Sequence, residues 1–93
     1  RERLLEWVYR RWDPATRQVV EAAAALPVVD PQDWWRDTGQ PERCLRATDD
    51  LTRAGLVVER EQGWQFVTAE LRQTVMRLAR AQGRRTAPTA HVA

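Results

Sequence analysis

The spacing of apolar side chains predicts a helix at each end of the chain. Residues 2–12 carry Leu4, Leu5, Val8 and Trp12 at helical intervals, with charged side chains between them. A stripe of this kind is typical of an amphipathic helix that packs on a core. Residues 69–82 repeat the pattern. Their inward positions are expected to be Leu71, Val75, Met76, Leu78 and Ala79.

Asp-Pro pairs predict the starts of two further helices. An aspartate side chain accepts hydrogen bonds from the free amide groups at a helix start, and proline tolerates the first helical position. The pair at positions 13–14 opens a helix expected over residues 14–26, and the pair at positions 30–31 opens a shorter one. Gly39 is expected to end the shorter helix in a left-handed conformation. The packing positions of the longer one should be Val19, Val20, Ala23, Ala24 and Leu26.

A further helix is predicted over residues 41–54, and Gly55 is expected to end it. Its inward positions should be Cys44, Ala47 or Thr48, and Leu51. Glycine allows the positive φ that reverses the chain at this point. Leu56 is then expected to re-enter the core.

Two short strand-like runs follow Gly55. Residues 56–58 and 64–67 are rich in β-branched and aromatic side chains, and the polar residues 59–63 lie between them. This pattern predicts an antiparallel hairpin. Thr68 can cap the final helix with its hydroxyl group. Residues 84–93 lack apolar periodicity, so we expect a flexible tail there.

The predicted order of elements is mainly α with a small β-hairpin, and it resembles the winged helix-turn-helix superfamily. The phrase ATDDLTRAGLVVEREQGWQFV is similar to the recognition helix and wing of that superfamily. The resemblance covers residues 14–82 and implies three parts: an extra N-terminal helix over residues 1–12, the winged domain with its C-terminal helix over residues 13–83, and the tail. It does not decide function, because one fold hosts many functions.

Composition adds one constraint on partners. The 93 residues carry a net charge of +2, and all fifteen cationic side chains are arginine. The charge is unevenly distributed: residues 1–12 sum to +2, residues 13–68 to −4 and residues 69–93 to +4. The middle of the chain, where the recognition helix and wing are predicted, is therefore acidic.

Binding to duplex DNA is one function that the fold implies. A recognition helix enters the major groove with its N-terminal half near base edges. Arg43 and Arg46 are the candidates for reading guanine, which a guanidinium group contacts through two hydrogen bonds. Arg53, Arg60 and Gln62 are expected near phosphates.

Acidic side chains on the same elements oppose that function. The recognition helix carries Glu42, Asp49 and Asp50, and the wing carries Glu59 and Glu61. Affinity that depends on neutralising phosphates gains little from such a surface, although a carboxylate can still accept a hydrogen bond from cytosine.

Docking to protein is the alternative. The stretches PATRQVVEAAAALPVVDPQDWW and LTRAGLVVEREQGWQFVTAELRQTVMRLA resemble the winged-helix module of signal-transduction ATPases with numerous domains. That resemblance implies a docking or autoinhibitory role, on other domains of the same protein or on a partner protein. Phe66 matches the family's Phe-x-His signature, but Thr68 stands where the histidine would fall. The chain also has no Gly-rich phosphate loop, so any ATPase activity would reside elsewhere.

Tryptophans are the candidate docking residues. Trp34 and Trp35 are adjacent helical positions and cannot both point inward, so one is expected to be partly exposed. Trp7 lies off the apolar stripe of its helix. Trp7, Trp34 and Trp35 are therefore predicted to mark a docking surface, the alternative for each being core packing.

Catalysis, metal binding and a small-molecule cofactor are not expected. The chain contains no serine, its only histidine is His91, and Cys44 has no second cysteine for a disulfide. Asp49 and Asp50 are neighbours on a solvent-facing helix, which does not suit acid–base chemistry. The apolar run over residues 19–29 falls short of the roughly 20 residues that span a bilayer. We therefore expect a non-enzymatic recognition module in the cytoplasm. Its first expected role is duplex-DNA binding within a transcriptional or signalling regulator, and protein docking in a multidomain ATPase is the alternative.

Overall fold

Helices dominate the computed structural model, which describes the backbone of residues 1–92 and the side chains of residues 1–82. Within that part the helices are α1 (Glu2–Arg11), α2 (Pro14–Ala24), α3 (Pro31–Thr38), α4 (Pro41–Arg53) and α5 (Ala69–Val92), and the strands are β1 (Val57–Arg60) and β2 (Gly63–Phe66). The expectation of a mainly helical chain with one hairpin is confirmed. Helix α5 extends past its predicted end at residue 82. The flexible tail predicted over residues 84–93 falls outside the described side chains and stays a prediction.

The two strands pair antiparallel, with Val57 opposite Phe66 and Arg60 opposite Gly63. This register leaves a two-residue turn, Glu61 and Gln62. The five-residue turn expected over 59–63 is wrong, because charged side chains on the solvent side of a hairpin do not prevent backbone pairing.

A third segment pairs with the hairpin. The backbone N–H of Val29 donates to the carbonyl oxygen of Trp64 at 2.7 Å, and the N–H of Trp64 donates back to Val29 at 3.0 Å. Gly63 makes this approach possible: a Cβ there would lie 1.9 Å from the carbonyl oxygen of Val29, and its φ is +148°. The segment between α2 and α3 is thereby tied to β2.

Gly55 reverses the chain after α4, as predicted. Its φ is +70°, and the N–H of Leu56 donates to the carbonyl oxygen of Leu51 at 3.0 Å. Leu56 is fully buried beneath the hairpin. The positive φ therefore directs the chain from the end of α4 into the core and on to β1.

The core lies between the helices and one face of the hairpin. Trp34 packs edge-on against Trp64 at 5.4 Å between ring centroids, and Trp64 packs in the same way against Phe66 at 5.6 Å. Aromatic rings favour such edge-to-face pairs. The indole N–H of Trp34 donates to the carbonyl oxygen of Val19 at 2.7 Å, so α3 is joined to α2 inside the core.

Several predicted packing positions are exposed instead. Leu4 is 40% exposed, and Tyr9 takes its place on the buried face of α1. Burial and the nearby Glu21 carboxylate raise the pKa of Tyr9 to about 12. Leu26 lies beyond the end of α2, and Met76 points away from the core. Helical spacing alone does not fix which of two adjacent apolar positions faces inward.

The predicted caps are mostly confirmed. Asp30 accepts from the N–H of Gln32 at 3.0 Å, and the N–H of Leu71 donates to the hydroxyl of Thr68 at 3.3 Å. Gly39 ends α3 with a φ of +66°. Asp13 differs: its side chain makes no backbone cap and instead accepts from the Thr16 hydroxyl and the Arg43 guanidinium.

Candidate functional site

Helix α1 is held along α4 by a partly buried polar contact. The indole N–H of Trp12 donates to the Asp50 carboxylate at 2.9 Å, and Trp12 itself is buried. At the other side of α1, Arg77 of α5 lies 3.4 Å from the Glu6 carboxylate. The N-terminal helix is therefore part of the domain and forms one wall of a groove with α4.

We call this groove the Trp7 groove. It has a volume of about 400 Å³ and is lined by Leu4, Trp7, Val8, Arg11, Trp12, Arg46, Asp50, Arg53 and Ala54. Trp7 is 56% exposed and is the most exposed large apolar side chain among the described residues. Its neighbour Leu4 is also exposed, so apolar surface faces solvent on the α1 wall.

The charge of the Trp7 groove is positive. The guanidinium of Arg11 stacks over the Trp7 ring at 4.5 Å from its centroid, and Arg46 and Arg53 come from α4. Asp50 is the one carboxylate that lines the groove, and its oxygen already accepts from Trp12. Within the described part of the chain, Arg46 has no carboxylate partner.

The predicted DNA-contacting residues do not share one surface. Arg46 and Arg53 line the Trp7 groove, whereas Arg60 and Gln62 line a second groove beside the hairpin. Arg43 is bound to Asp13, which holds it toward the start of α2. The five residues are therefore divided among three regions around α4.

Acidic partners occupy two of those arginines. Arg43 pairs with Asp13, and Arg53 pairs with Asp49 at 3.0 Å. The Asp13 pKa is held below its usual value by the hydrogen bond from Thr16 and by the Arg43 charge. Two of the three α4 arginines that the sequence assigned to DNA thus already contact carboxylates of the domain.

The three candidate docking tryptophans lie in different environments. Trp34 is 2% exposed and belongs to the core, while Trp35 is partly buried beside it. This matches the expectation that only one of the pair could point inward. Trp7 alone of the three is largely exposed, so it is the one that a partner could contact without rearrangement.

We call the second groove the Leu45 groove. It lies between α3, α4 and the hairpin, with a volume of about 830 Å³. Leu45 on the outer face of α4 is 53% exposed at its wall. The residues that line the groove are Asp30, Pro31, Gln32, Trp35, Leu45, Thr48, Thr52, Val57, Glu59, Arg60, Glu61, Gln62, Gly63 and Trp64.

Sequence reasoning missed Leu4, Arg11 and Leu45 as surface candidates. A signal for Leu45 existed, because inward positions 44, 47 and 51 place residue 45 off the buried face of α4. Leu4 was assigned to the core on its helical spacing. Arg11 gains its place only from the packing of α1 on α4, which periodicity does not report.

Cys44, the chain's one thiol, lies inside the fold. Burial raises the pKa of the Cys44 thiol, and its sulfur lies 3.3 Å from the Thr38 hydroxyl inside the fold. A thiol with a raised pKa is a poor nucleophile at neutral pH. In the described part of the chain, no three His, Cys, Asp or Glu side chains form a group that could hold a metal ion.

Comparison of the chain with protein-family models, with curated proteins and with solved structures gives no match. No helix among the described residues has the length and apolar character needed to cross a membrane. Functional inference therefore rests on the two grooves and their charges.

Proposed function

We propose that residues 14–82 form a winged helix-turn-helix domain, with α4 as the recognition helix and the hairpin as the wing. The order α2, α3, α4, β1, β2 supports this, as does the pairing of Val29 with Trp64, which adds a short third segment to the hairpin. The chain reversal at Gly55 supports it as well.

We propose that this domain is a non-enzymatic protein-docking module, and that its Trp7 groove binds an acidic segment with an apolar anchor. The observation that carries the proposal is that exposed Trp7 and Leu4 lie beside Arg11, Arg46 and Arg53 in one groove. Tryptophan and arginine dominate the energetics of many protein interfaces. The segment belongs either to another domain of the same protein or to a partner protein.

Charge complementarity selects an acidic segment. Three guanidinium groups and one carboxylate line the groove, and Arg53 also pairs with Asp49 at its edge. Arginine forms paired hydrogen bonds with carboxylates, which favours glutamate and aspartate over neutral side chains. The apolar surface of Trp7 and Leu4 then accommodates a leucine or an aromatic ring of the same segment.

Duplex DNA is the second candidate, supported by Arg46 and the exposed position of α4. Its support is weaker for two reasons. The outer face of α4 presents the apolar Leu45, and Glu59 and Glu61 flank Arg60 in the hairpin. Phosphate binding gains little from an arginine that stands between two carboxylates, as Arg60 does.

Nuclear magnetic resonance titration tests the proposal. The probe is a peptide of glutamate and leucine with its leucines on one helical face. The control is the same peptide with lysine in place of glutamate, which should leave the resonances of Trp7 and Arg46 unchanged. The acidic peptide should shift the resonances of Trp7 and Arg46.

The variant W7A should bind the acidic peptide tenfold or more weakly, because it loses an anchor worth at least about 1.4 kcal/mol. Leu45→Ala is the matched control and should bind normally. Equal binding by W7A and the unaltered chain would overturn the proposal.

A further inference from the structure

The Leu45 groove has the opposite charge from the Trp7 groove, although both are built on α4. Asp30, Glu59 and Glu61 line it, and Arg60 is its one cationic side chain. Glu59, Arg60 and Glu61 are all exposed. The domain thus presents a basic groove on one side of α4 and an acidic groove on the other.

Apolar surface lies within this acidic groove. Leu45 is largely exposed, and Trp35 and Val57 are partly buried against the core. Leu45 lies on α4, Val57 on β1 and Trp35 on α3, so three elements contribute apolar side chains to one groove. Single exposed leucines are common, but a groove that combines apolar side chains from several elements with a few polar groups is typical of binding sites.

Two polar groups in the groove walls lack partners. The indole N–H groups of Trp35 and Trp64 are shielded from water and donate to no acceptor among the described residues. Trp64 is itself 4% exposed. A buried donor without an acceptor is unfavourable, and buried donors in proteins are usually paired.

We infer that the Leu45 groove binds a basic, apolar-anchored segment of a partner protein. The carboxylates of Asp30, Glu59 and Glu61 bind lysine or arginine side chains of that segment. Leu45 and Trp35 contact a leucine or aromatic side chain between them. This site is separate from the Trp7 groove, so the domain is a two-sided adaptor that receives segments of opposite charge on opposite sides of α4.

Charge complementarity excludes nucleic acid as the occupant. A phosphate backbone placed in this groove would meet three carboxylates and one guanidinium. Affinity for nucleic acid depends on the number of phosphates that cationic side chains neutralise, which here is at most one. A second copy of this chain is an alternative occupant, because its own arginines are numerous, and the experiment below distinguishes it.

The peptide of lysine and leucine used above as a control is the probe for this groove. Isothermal calorimetry on the whole chain should detect its binding, and E59Q/E61Q should weaken that binding tenfold or more. Leu45→Ala removes the apolar anchor without changing the charge of the groove, so it should also weaken binding. Glu42→Gln is the matched control, since Glu42 is an exposed carboxylate of α4 outside the groove.

Three outcomes overturn the inference. The first is equal affinity of the lysine peptide for the unaltered chain and for E59Q/E61Q. The second is weakening by W7A, which would place the peptide in the other groove. The third is a concentration-dependent increase in mass by sedimentation that E59Q/E61Q abolishes, which would make a second copy the occupant. Failure of the Trp7 groove to bind the glutamate peptide leaves this result unaffected, so the two proposals are tested separately.

Discussion

The indole N–H of Trp12 donates to the Asp50 carboxylate at 2.9 Å, and this hydrogen bond joins the N-terminal helix to α4. Trp12 is buried, and Asp50 is half-buried at the wall of the Trp7 groove. The contact has two effects. It fixes the helix that carries Trp7 beside the helix that carries Arg46, and it gives the Asp50 carboxylate a partner inside the domain. The groove is net positive because three arginines line it against this one carboxylate.

Replacement of Asp50 by alanine should destabilise the domain. The change leaves the buried indole N–H of Trp12 without an acceptor, at a cost of about 1–3 kcal/mol in the free energy of unfolding. Urea denaturation followed by tryptophan fluorescence measures it. Asp49→Ala is the control, because Asp49 forms only an exposed pair with Arg53 and its loss should change stability by less than about 1 kcal/mol. Equal effects of the two substitutions would show that the Trp12 contact does not matter.

Asp49→Asn should strengthen binding of the glutamate peptide. Asp49 holds Arg53 at 3.0 Å, and both side chains are exposed. Without that carboxylate, Arg53 is free to bind an acidic segment in the Trp7 groove, and a threefold to tenfold gain in affinity corresponds to about 0.7–1.4 kcal/mol. Calorimetry checks this, with Asp33→Asn as the control, since Asp33 pairs with Arg36 away from the groove. Unchanged affinity in D49N would argue against a role for Arg53.

Replacement of Trp34 and replacement of Trp7 should have very different effects on the free energy of unfolding. Trp34 is a core residue whose indole N–H donates to Val19, so Trp34→Ala should lower the free energy of unfolding by about 3–5 kcal/mol. Trp7 is mostly exposed, and Trp7→Ala should change it by less than about 0.5 kcal/mol. Thermal melts of both variants provide the measurement. A large loss in W7A would mean that Trp7 supports the fold and is no free anchor.

Replacement of Gly55 and Gly63 should distinguish the cost of a positive φ alone from that of a positive φ combined with steric overlap. Gly55→Ala meets no neighbouring atom but must adopt a positive φ, at a cost of about 1–2 kcal/mol. Gly63→Ala adds overlap with the Val29 carbonyl to a strained φ, so its loss should exceed the roughly 3 kcal/mol that backbone strain alone can reach. Comparison of the two midpoints in urea tests the pairing of Val29 with Trp64. The opposite order would contradict that pairing.

Asp13 should make stability depend on pH. Its ionised carboxylate accepts from Thr16 and Arg43, which lowers its pKa from the ordinary value of 3.8. Because the folded-state pKa lies below that of the unfolded chain, the contribution is present above the unfolded pKa and is lost as pH falls. The difference in the free energy of unfolding between the unaltered chain and D13N should therefore be constant near neutral pH and shrink below about pH 4. Urea denaturation at a series of pH values from neutral to acidic measures this difference. A difference that does not change with pH would contradict this role.

Local chemistry made much of the fold predictable. Pro31 and Pro41 begin helices, and Thr68 caps α5 with its hydroxyl group. Gly39 and Gly55 follow the ends of α3 and α4 with the positive φ that glycine allows. Each of these positions depends on a few neighbouring residues. The sequence is therefore sufficient where one residue type satisfies one backbone group.

The candidate site was less predictable, because it depends on packing between distant segments. Arg46 and Trp7 are 39 positions apart, and only the packing of α1 against α4 brings them into one groove. Periodicity could place Trp7 off the apolar stripe but could not name its neighbours. It also could not show that Asp13 would bind Arg43 across the domain, since a cap on its own helix satisfies the same carboxylate.

The most direct test of the docking proposal compares two ligands at two salt concentrations. Fluorescence anisotropy should show that the unaltered chain binds the glutamate–leucine peptide and that the variant R46E does not. A mixed-sequence DNA duplex should bind no more tightly than the weak, roughly 10⁻⁴ M limit of non-specific binding. Tight duplex binding that falls steeply as salt rises, together with no binding of the peptide, would contradict the account and favour a DNA-binding domain.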